Sequence, residues 1–351
     1  MAGDDRISDL RVTIDGNELS RAAYNDLVEV VVEDDAGGPS MATLRMIGSG
    51  DEVLGHTWLD DDQFSPGHTL CVELGEVGAP LSRVFSGEIT GLEMELGQDE
   101  GPSITVRAYD LRHRLLRGTK TRSFVGHKDS EIAEQIAKEN NLTHRVTDSR
   151  VKLAYVLQAG QNDLEFLKSR AAAIGFEVAM DDEQLAFRPR REGEEPAISL
   201  AASDDILDIH VRLAASGPVG EVRVQAWDPA RKQAMTGTAR AGDEPSMGET
   251  PGSAAADRAF GKAIVTLGSR PVGSQEEADA IALAALREIS LGYLSGEGTC
   301  VGNSAVRAGR TVSLVGLGKR MSGAYYVTQA THSYSPKTGY LTRFSVRRNA
   351  T

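Results

Sequence analysis

Two fragments of the chain carry the spacing of a serine acyl-enzyme site, Ser149-Arg-Val-Lys152 and Lys337-Thr-Gly339. That chemistry needs its serine at a helix N-terminus, so that the lysine one turn later faces it. Here the sequence runs on as Lys152-Leu-Ala-Tyr-Val-Leu157, a strand pattern, and Lys337-Thr-Gly339 follows Ser335-Pro336 as a hairpin turn. No Ser-Asp-Asn lies between them, so the pair reads as coincidence. Seven histidines (His56, His68, His113, His127, His144, His210, His332) are scattered, with no His-x-His or His-x-x-x-His. Metal sites need clustered ligands, so these read as surface or hydrogen-bonded residues. Asp60-Asp61-Asp62 lacks the glycine and glutamate of a calcium loop and reads as a solvated turn.

The densest polar cluster is Asp110, Arg112, His113 and Arg114, directly after a strand pattern. An acid–base role is conceivable there; a joint between two parts of the chain is the better reading. Trp227-Asp228-Pro229 reads as a strand end turned by Asp-Pro. There is no Gly-x-Ser-x-Gly, no phosphate-binding loop and no Gly-x-Gly-x-x-Gly after a strand. Paired carboxylates for glycoside cleavage cannot be recognised among 51 acids without geometry. Cys71 and Cys300 are too few for a disulfide framework or a four-ligand zinc site, which fits a reducing compartment. No catalytic, cofactor or metal residue is expected.

The elements that would position any site follow from charge and periodicity. The chain has 351 residues, long enough for two or three domains, and a formal charge of −13. Residues 1–297 hold 30 basic and 51 acidic side chains, a net −21, whereas the last 54 hold eight Lys/Arg and no acid, a net +8. Such a division argues for docking between oppositely charged surfaces. Nucleic acid is the weaker partner for the basic segment, because the chain as a whole is acidic. No apolar run is long enough for a transmembrane helix, and the start, Met1-Ala-Gly-Asp-Asp-Arg, does not read as a signal peptide.

Period-two alternation marks strands through residue 110: Val28, Val30 and Val32; Leu44 and Met46; Leu70, Val72 and Leu74; Ile104, Val106 and Ala108. Turn residues separate them at 34–40, 65–67 and 97–102. The middle changes period. Asp129 is the expected cap of a helix lined by Ile132, Ala133, Ile136 and Ala137. Asn162, with Glu165 three residues on, caps a second that Gly175 closes. Strands are expected near 176–179, 185–187, 206–213 and 222–227, then an exposed linker over 239–256. Ser274 and Glu277 open the clearest helix, with Ala278, Ile281, Ala282, Ala285 and Ile289 on one face, and strands return over 294–348.

The two strand regions read as copies of one unit. Gly67-His-Thr-Leu-Cys-Val matches Gly309-Arg-Thr-Val-Ser-Leu; Phe85 then matches Tyr326, and Val106 matches Val346, with spacings kept to one residue. Duplication predicts two similar barrels separated by an α+β domain.

These segments also stand in a recognisable order: Phe85-Ser-Gly-Glu-Ile-Thr-Gly-Leu, Ile104-Thr-Val-Arg-Ala-Tyr-Asp-Leu-Arg-His-Arg-Leu115, Asn162-Asp-Leu-Glu-Phe-Leu-Lys, Gly309-Arg-Thr-Val and Gly339-Tyr-Leu-Thr-Arg-Phe. Over nearly its whole length the chain resembles phage late control gene D proteins and the hub portion of VgrG-type proteins of contractile injection systems. The resemblance implies a mainly β fold with an α+β insertion: a tube-like β-barrel domain over 1–115, an α+β domain over 116–200, a second tube-like barrel over 201–230 and 293–351, and a linker with a helical insertion over 231–292. It implies a non-enzymatic baseplate hub. Three copies would close a ring with six similar units around a channel, joining a hexameric inner tube to a three-fold spike. Implied partners are the chain itself as a homotrimer, the inner tube protein, a spike, baseplate wedge or other tail proteins, and cargo in the channel, with no cofactor, specific nucleic acid or membrane insertion. The chain stops where VgrG proteins continue into a spike, so a separate spike polypeptide is expected. Assembly in the bacterial cytoplasm and then residence in a tail or injection particle follow from the same resemblance. The alternative is a tail-associated enzyme that degrades cell wall, or a glycan-binding protein. Arg310, Arg343, Arg347 and Arg348 in the basic segment are the candidate subunit-interface residues.

Overall fold

The computed structural model describes residues 8–47, 58–96, 102–181, 183–228 and 232–351. His56, Pro229 and all but the last residue of the expected 97–102 turn lie outside them. The alternating runs form strands: β1 (Ser8–Ile14), β2 (Asn17–Glu18), β3 (Leu27–Asp35), β4 (Met41–Ile47), β5 (Thr69–Glu76), β6 (Ser82–Glu95) and β7 (Ser103–Tyr109), with the short helix α1 (Arg21–Asp26) before β3. Val30, Val32, Leu44, Met46, Leu70, Val72, Leu74 and Val106 are fully buried on one face. Val28 departs from its expected phase. A bulge between Leu27 and Glu29 turns Leu27 inward and leaves Val28 half-exposed.

The middle of the chain is an α+β unit with its own core: β8 (Lys120–Lys128), α2 (Asp129–Glu139), β9 (His144–Val146), β10 (Lys152–Gln161), α3 (Asp163–Ala173), β11 (Phe176–Asp181) and β12 (Gln184–Pro189). Asn162 Oδ1 accepts from the Glu165 amide at 2.8 Å, and Gly175 follows α3 at φ 69°. Asp129 is not the cap of α2. Lys128 holds that position, its amide donating to the Glu131 carboxylate at 2.9 Å. Asp129 lies in the first turn, buried, and takes Arg170 of α3 at 2.6 Å. A buried carboxylate is held better by an arginine across the helix pair than by an exposed cap amide.

After β13 (Ser199–Ala201) and β14 (Ile206–Leu213) come β15 (Glu221–Asp228), β16 (Gln233–Arg240), α4 (Gly252–Phe260), β17 (Ile264–Pro271) and α5 (Gln275–Ser290). Here the structure departs from the sequence-based division. β15 does not join the large sheet; it pairs with β16 and, in parallel, with β17. Helix α5 covers this small sheet through Ala278, Ile281, Ala282 and Leu286 against Val222, Val224 and Ala239. The stretch 239–256 is no exposed linker either. Its first residues finish β16, its last begin α4, and the buried Glu244 between them accepts from Ser253 and Ser290 hydroxyls at 3.1 Å each. Ser274 Oγ caps α5 by accepting from the Glu277 amide at 3.1 Å, while Glu277 returns to the Gly273 amide at 2.8 Å.

β18 (Leu294–Val301), β19 (Thr311–Val315), α6 (Gly318–Met321), β20 (Gly323–Ser335) and β21 (Gly339–Arg348) complete the chain. Thirteen strands form one sheet along the path β14-β18-β21-β20-β3-β4-β7-β6-β5-β1-β2, with β19 pairing β20 and β13 off that path. The two strand units are thus halves of a single sheet, joined where β20 pairs antiparallel with β3.

The halves repeat each other in register. The Gly67 amide donates to Ile89 O at 2.8 Å and the Gly309 amide to Val327 O at 2.9 Å, both glycines holding positive φ. A bulge follows Ile89 in the β6–β7 ladder and Val327 in the β20–β21 ladder. A second pair of bulges follows Leu27 in β3–β4 and Ile206 in β14–β18. Register therefore matches Tyr326 with Glu88, not with Phe85, and Val346 with Ala108, not with Val106.

A Cβ added to Gly237 of β16 would sit 2.2 Å from the Ala278 carbonyl of α5. Gly237→Ala is expected to cost about 1–3 kcal/mol by overpacking and Ser274→Ala ~1 kcal/mol by loss of the cap. Hydrogen exchange should place both losses in α5 and its small sheet, leaving the thirteen-stranded sheet protected.

Candidate functional site

Where β3, β7, β11 and the segment before β19 meet, charged side chains are buried together. Arg307 Nε donates to Asp34 Oδ2 at 2.7 Å, the Ala308 amide donates to the same oxygen at 3.1 Å, and Ser40 Oγ donates to Oδ1 at 2.8 Å. Burial pushes the Asp34 carboxyl up, but Arg307 and Ser40 outweigh it and hold it below the usual carboxylate range. Asp110, after β7, accepts from the Ser40 amide at 2.6 Å and from Arg112 Nη2 at 2.7 Å. Arg112 also donates to the carbonyls of Val178 at 3.2 Å and Asp35 at 3.4 Å. Both residues are nearly inaccessible, and the guanidinium ties three segments of the chain together. The cluster singled out in the sequence is therefore a joint. Its neighbours His113 and Arg114 share Glu88, whose carboxyl is held low chiefly by Arg114.

A second buried set joins the α+β unit to the second half. Tyr326 Oη donates to Glu177 Oε2 at 2.6 Å, and Arg188 meets Glu177 at 2.9 Å and also contacts Asp181. Burial raises the Glu177 carboxyl despite Tyr326 and Arg188. On β20, His332 is wholly buried 2.8 Å from the Tyr340 hydroxyl. Burial, reinforced by the charge of Arg307, pushes its pKa down to about 3. Asp110 and Arg112 were legible as a joint, but the long-range partners of both joints were not. Asp34 and Arg307 are 273 residues apart, and Glu177 and Tyr326 are 149 apart, with no local pattern to link them.

The four candidate arginines separate. Arg310 is exposed at a cleft also lined by Arg83, Arg145, Arg191 and Arg307. Arg343 is exposed on the wet face of β21, between Thr299 and Thr331, and Arg347 on the same face meets Glu288 of α5 at 3.1 Å. Arg348 is removed from the candidates. It falls on the inward phase of β21, is 4% exposed, and gives its guanidinium to the Ser322 carbonyl at 2.6 Å. Lys337-Thr-Gly339 is the turn between β20 and β21, and Ser149 Oγ accepts from the Ser130 amide at 3.1 Å on the first turn of α2. Asp61 caps a short 3-10 turn at Asp62–Phe64. Among the described residues no group of three His, Cys, Asp or Glu is placed to hold a metal, and no helix is long and apolar enough to cross a membrane.

A duplicated strand unit fused into one sheet, with an α+β unit between the copies, is a fold found in tail proteins. The chain superposes on the 43 kDa tail protein of prophage MuSo2 from Shewanella oneidensis with TM-score 0.71 and 15% identity, covering 97% of this chain and 98% of that one. The tail protein from Neisseria meningitidis MC58 gives TM-score 0.66 at 12% identity, covering 97% of each chain. An E. coli component of the type VI secretion system, described as structurally similar to T4 bacteriophage tail proteins, gives 0.60 at 14% identity over 97% of this chain and 77% of that one. No curated protein matches. The model of the Alg8 N-terminal domain family matches residues 4–335, and the chain belongs to that family.

Arg112→Ala leaves Asp110 charged and buried and is expected to cost ~3–5 kcal/mol in denaturant unfolding. His332 gives a pH dependence. Its folded pKa lies below the unfolded value of about 6.5, so its contribution is complete above that pH and is lost as pH falls toward 3, at about 1.4 kcal/mol per unit. His332→Asn should flatten that part of the acid limb in unfolding curves taken between pH 7 and 4.

Proposed function

We propose that the protein is a structural component of a contractile phage-like tail or injection system, and within it a hub: a trimeric adaptor between a hexameric inner tube and a three-fold spike. The observation that carries this reading is the repeat inside the chain. Two units with the same strand pairing and the same bulges lie side by side in one sheet. Three such chains present six similar units, the number a hexameric tube meets, while keeping the three-fold symmetry a spike needs. The fold shared with tail proteins supports the coarser part of the reading.

The work of such a hub is geometric and electrostatic. The buried charges of the two joints, Asp110, Arg112 and Glu177, are all paired, so the chemistry of an acid–base site has no group left at these positions. Arg310 and Arg343 are exposed and make no ion pair among the described residues, and with Arg347 they are the positions we assign to contact with acidic surface on a neighbour. Inner tube, spike and other tail proteins are the partners, and the channel carries the payload.

Sedimentation of the purified chain should give a trimer, and added peptidoglycan should show no clearing. A stable monomer that clears peptidoglycan overturns the reading in favour of a cell-wall enzyme. Arg310→Glu combined with Arg343→Glu should weaken assembly at low ionic strength more than at high, because exposed pairs are screened within about 10 Å at 0.1 M salt.

A further inference from the structure

The repeat leaves two edges without their counterpart's partner. At the joint between the halves, Gln329 to Tyr334 of β20 pair with Asp35 to Val30 of β3. By the bulges, β20 corresponds to β6, Val327 to Ile89, and β3 corresponds to β14, Leu27 to Ile206. Yet beyond Ile89 strand β6 pairs only with β7, and β14 pairs only with β18. No described strand covers the outer edge of either. Neither carries a proline, and the protection each has against indiscriminate pairing is its charge, Glu93 and Glu95 on one edge and Arg212 on the other.

We propose that the free edge of β6 in one copy pairs antiparallel with the free edge of β14 in a second copy, in the register of the β20–β3 joint. Thr331 lies opposite Glu33 in that joint. Thr331 is four residues past Val327, as Glu93 is past Ile89; Glu33 is six past Leu27, as Arg212 is past Ile206. The transferred register sets Glu93 opposite Arg212 and Glu95 opposite His210. On the other face it sets Leu92, Met94 and Leu96 opposite Leu213, Val211 and Ile209. Acids meet basic side chains and apolar residues meet apolar ones along the whole ladder, as cross-strand pairing favours. A one-residue slip would set apolar residues against charged ones.

Exposure points the same way. Met94 and Leu96 are 43% and 63% exposed, whereas their counterparts in the joint, His332 and Tyr334, are buried and half-buried. Val211 and Ile209 are half-exposed, whereas their counterparts Val32 and Val30 are fully buried. Glu93 holds Arg107 of its own chain at 3.0 Å through one carboxylate oxygen and is itself exposed. Two different edges make the contact head-to-tail, which closes into a ring when the rotation allows. The occupant is therefore a second copy of this chain. The number of copies in the ring rests on the hub reading above; the identity of the edges does not.

Sedimentation of the full chain over a concentration series, compared with Glu93→Arg, Arg212→Glu and the double variant, tests the pairing. Both positions are exposed, so thermal unfolding of the monomers serves as the folding control. Each single reversal places like charges opposite one another and is expected to weaken self-association at least about tenfold, and the double variant to recover it. An assembly indifferent to either reversal, or a double variant as weak as the poorer single one, overturns the edge pairing and leaves the hub reading standing. A wild-type chain that is monomeric at every concentration overturns both.

Discussion

Backbone hydrogen bonding between β20 and β3 turns two strand units into one sheet, and much of the rest of the molecule is arranged around that junction. Six residues of each strand pair, from Gln329–Asp35 to Tyr334–Val30. Side chains follow the backbone: Tyr340 of the second unit belongs to the hydrophobic cluster of the first, and His332 is buried beneath it. The junction also fixes where the α+β unit can sit, because Arg112, held by Asp110, reaches across to the Val178 carbonyl of β11 beside it. A ladder of backbone bonds sets register to one residue, which loose packing of two separate barrels would not.

The split of charge between the front of the chain and its last 54 residues resolves into several local arrangements rather than one docked surface. Arg307 does reach an acid of the first unit, Asp34, but does so from inside the joint, where its role is to keep a buried carboxylate ionised. Arg347 finds Glu288 of α5, and Arg348 serves backbone carbonyls under Tyr325. Arg307 and Arg348 are withdrawn into the fold and Arg347 is paired, and the other five positive charges face outward. They are spread over the wet face of β21, the cleft at Arg310, Lys319 and Arg320 of α6 and the Lys337 turn, while the acidic excess of the front stays in solvent or in local pairs such as Glu93 with Arg107.

Alternation made the strands readable because a half-buried sheet imposes period two on hydrophobicity, and capping residues made α3 and α5 readable because Asn162 and Ser274 bond the amides that their position predicts. Bulges were not readable. One extra residue changes the phase without changing composition, so Val28 looked inward and the aromatic Phe85 looked like the counterpart of Tyr326. The route from the β5 ladder to β6 is four residues longer than from β19 to β20, which shifted that match. From there to the end of each unit the spacing agrees: Glu88 to Tyr109 and Tyr326 to Arg347 span the same length. The small sheet of β15–β17 stayed hidden for another reason. Its strand β16, Gln-Ala-Met-Thr-Gly-Thr-Ala-Arg, has little hydrophobic contrast, and its burial depends on α5 arriving from forty residues away. In the polar joints only the local Asp110–Arg112 pair was readable, because the partners of Asp34 and Glu177 arrive by tertiary approach.

The two junctions available to this repeat have different chemistry for a physical reason. Within the chain, β20 and β3 are held at high effective concentration, so their contact can include groups that are costly to bury: a neutral histidine, and an Asp34–Arg307 pair that must be desolvated. Between chains the same geometry has to form from separate molecules with wet edges. Groups that keep their hydration until late suit it better: Glu93 and Glu95 on one edge, Arg212 and His210 on the other, flanked by Met94 and Val211, which gain by leaving water. A charge pair on one junction and a buried histidine on the other also distinguish the two edges chemically. β6 meeting a β3 edge would set Glu93 against Glu33, and β20 meeting a β14 edge would leave Arg212 opposite Thr331 with no acid. Duplication supplies the common geometry, and divergence of these few side chains sets Glu93 against Arg212 only where β6 meets β14.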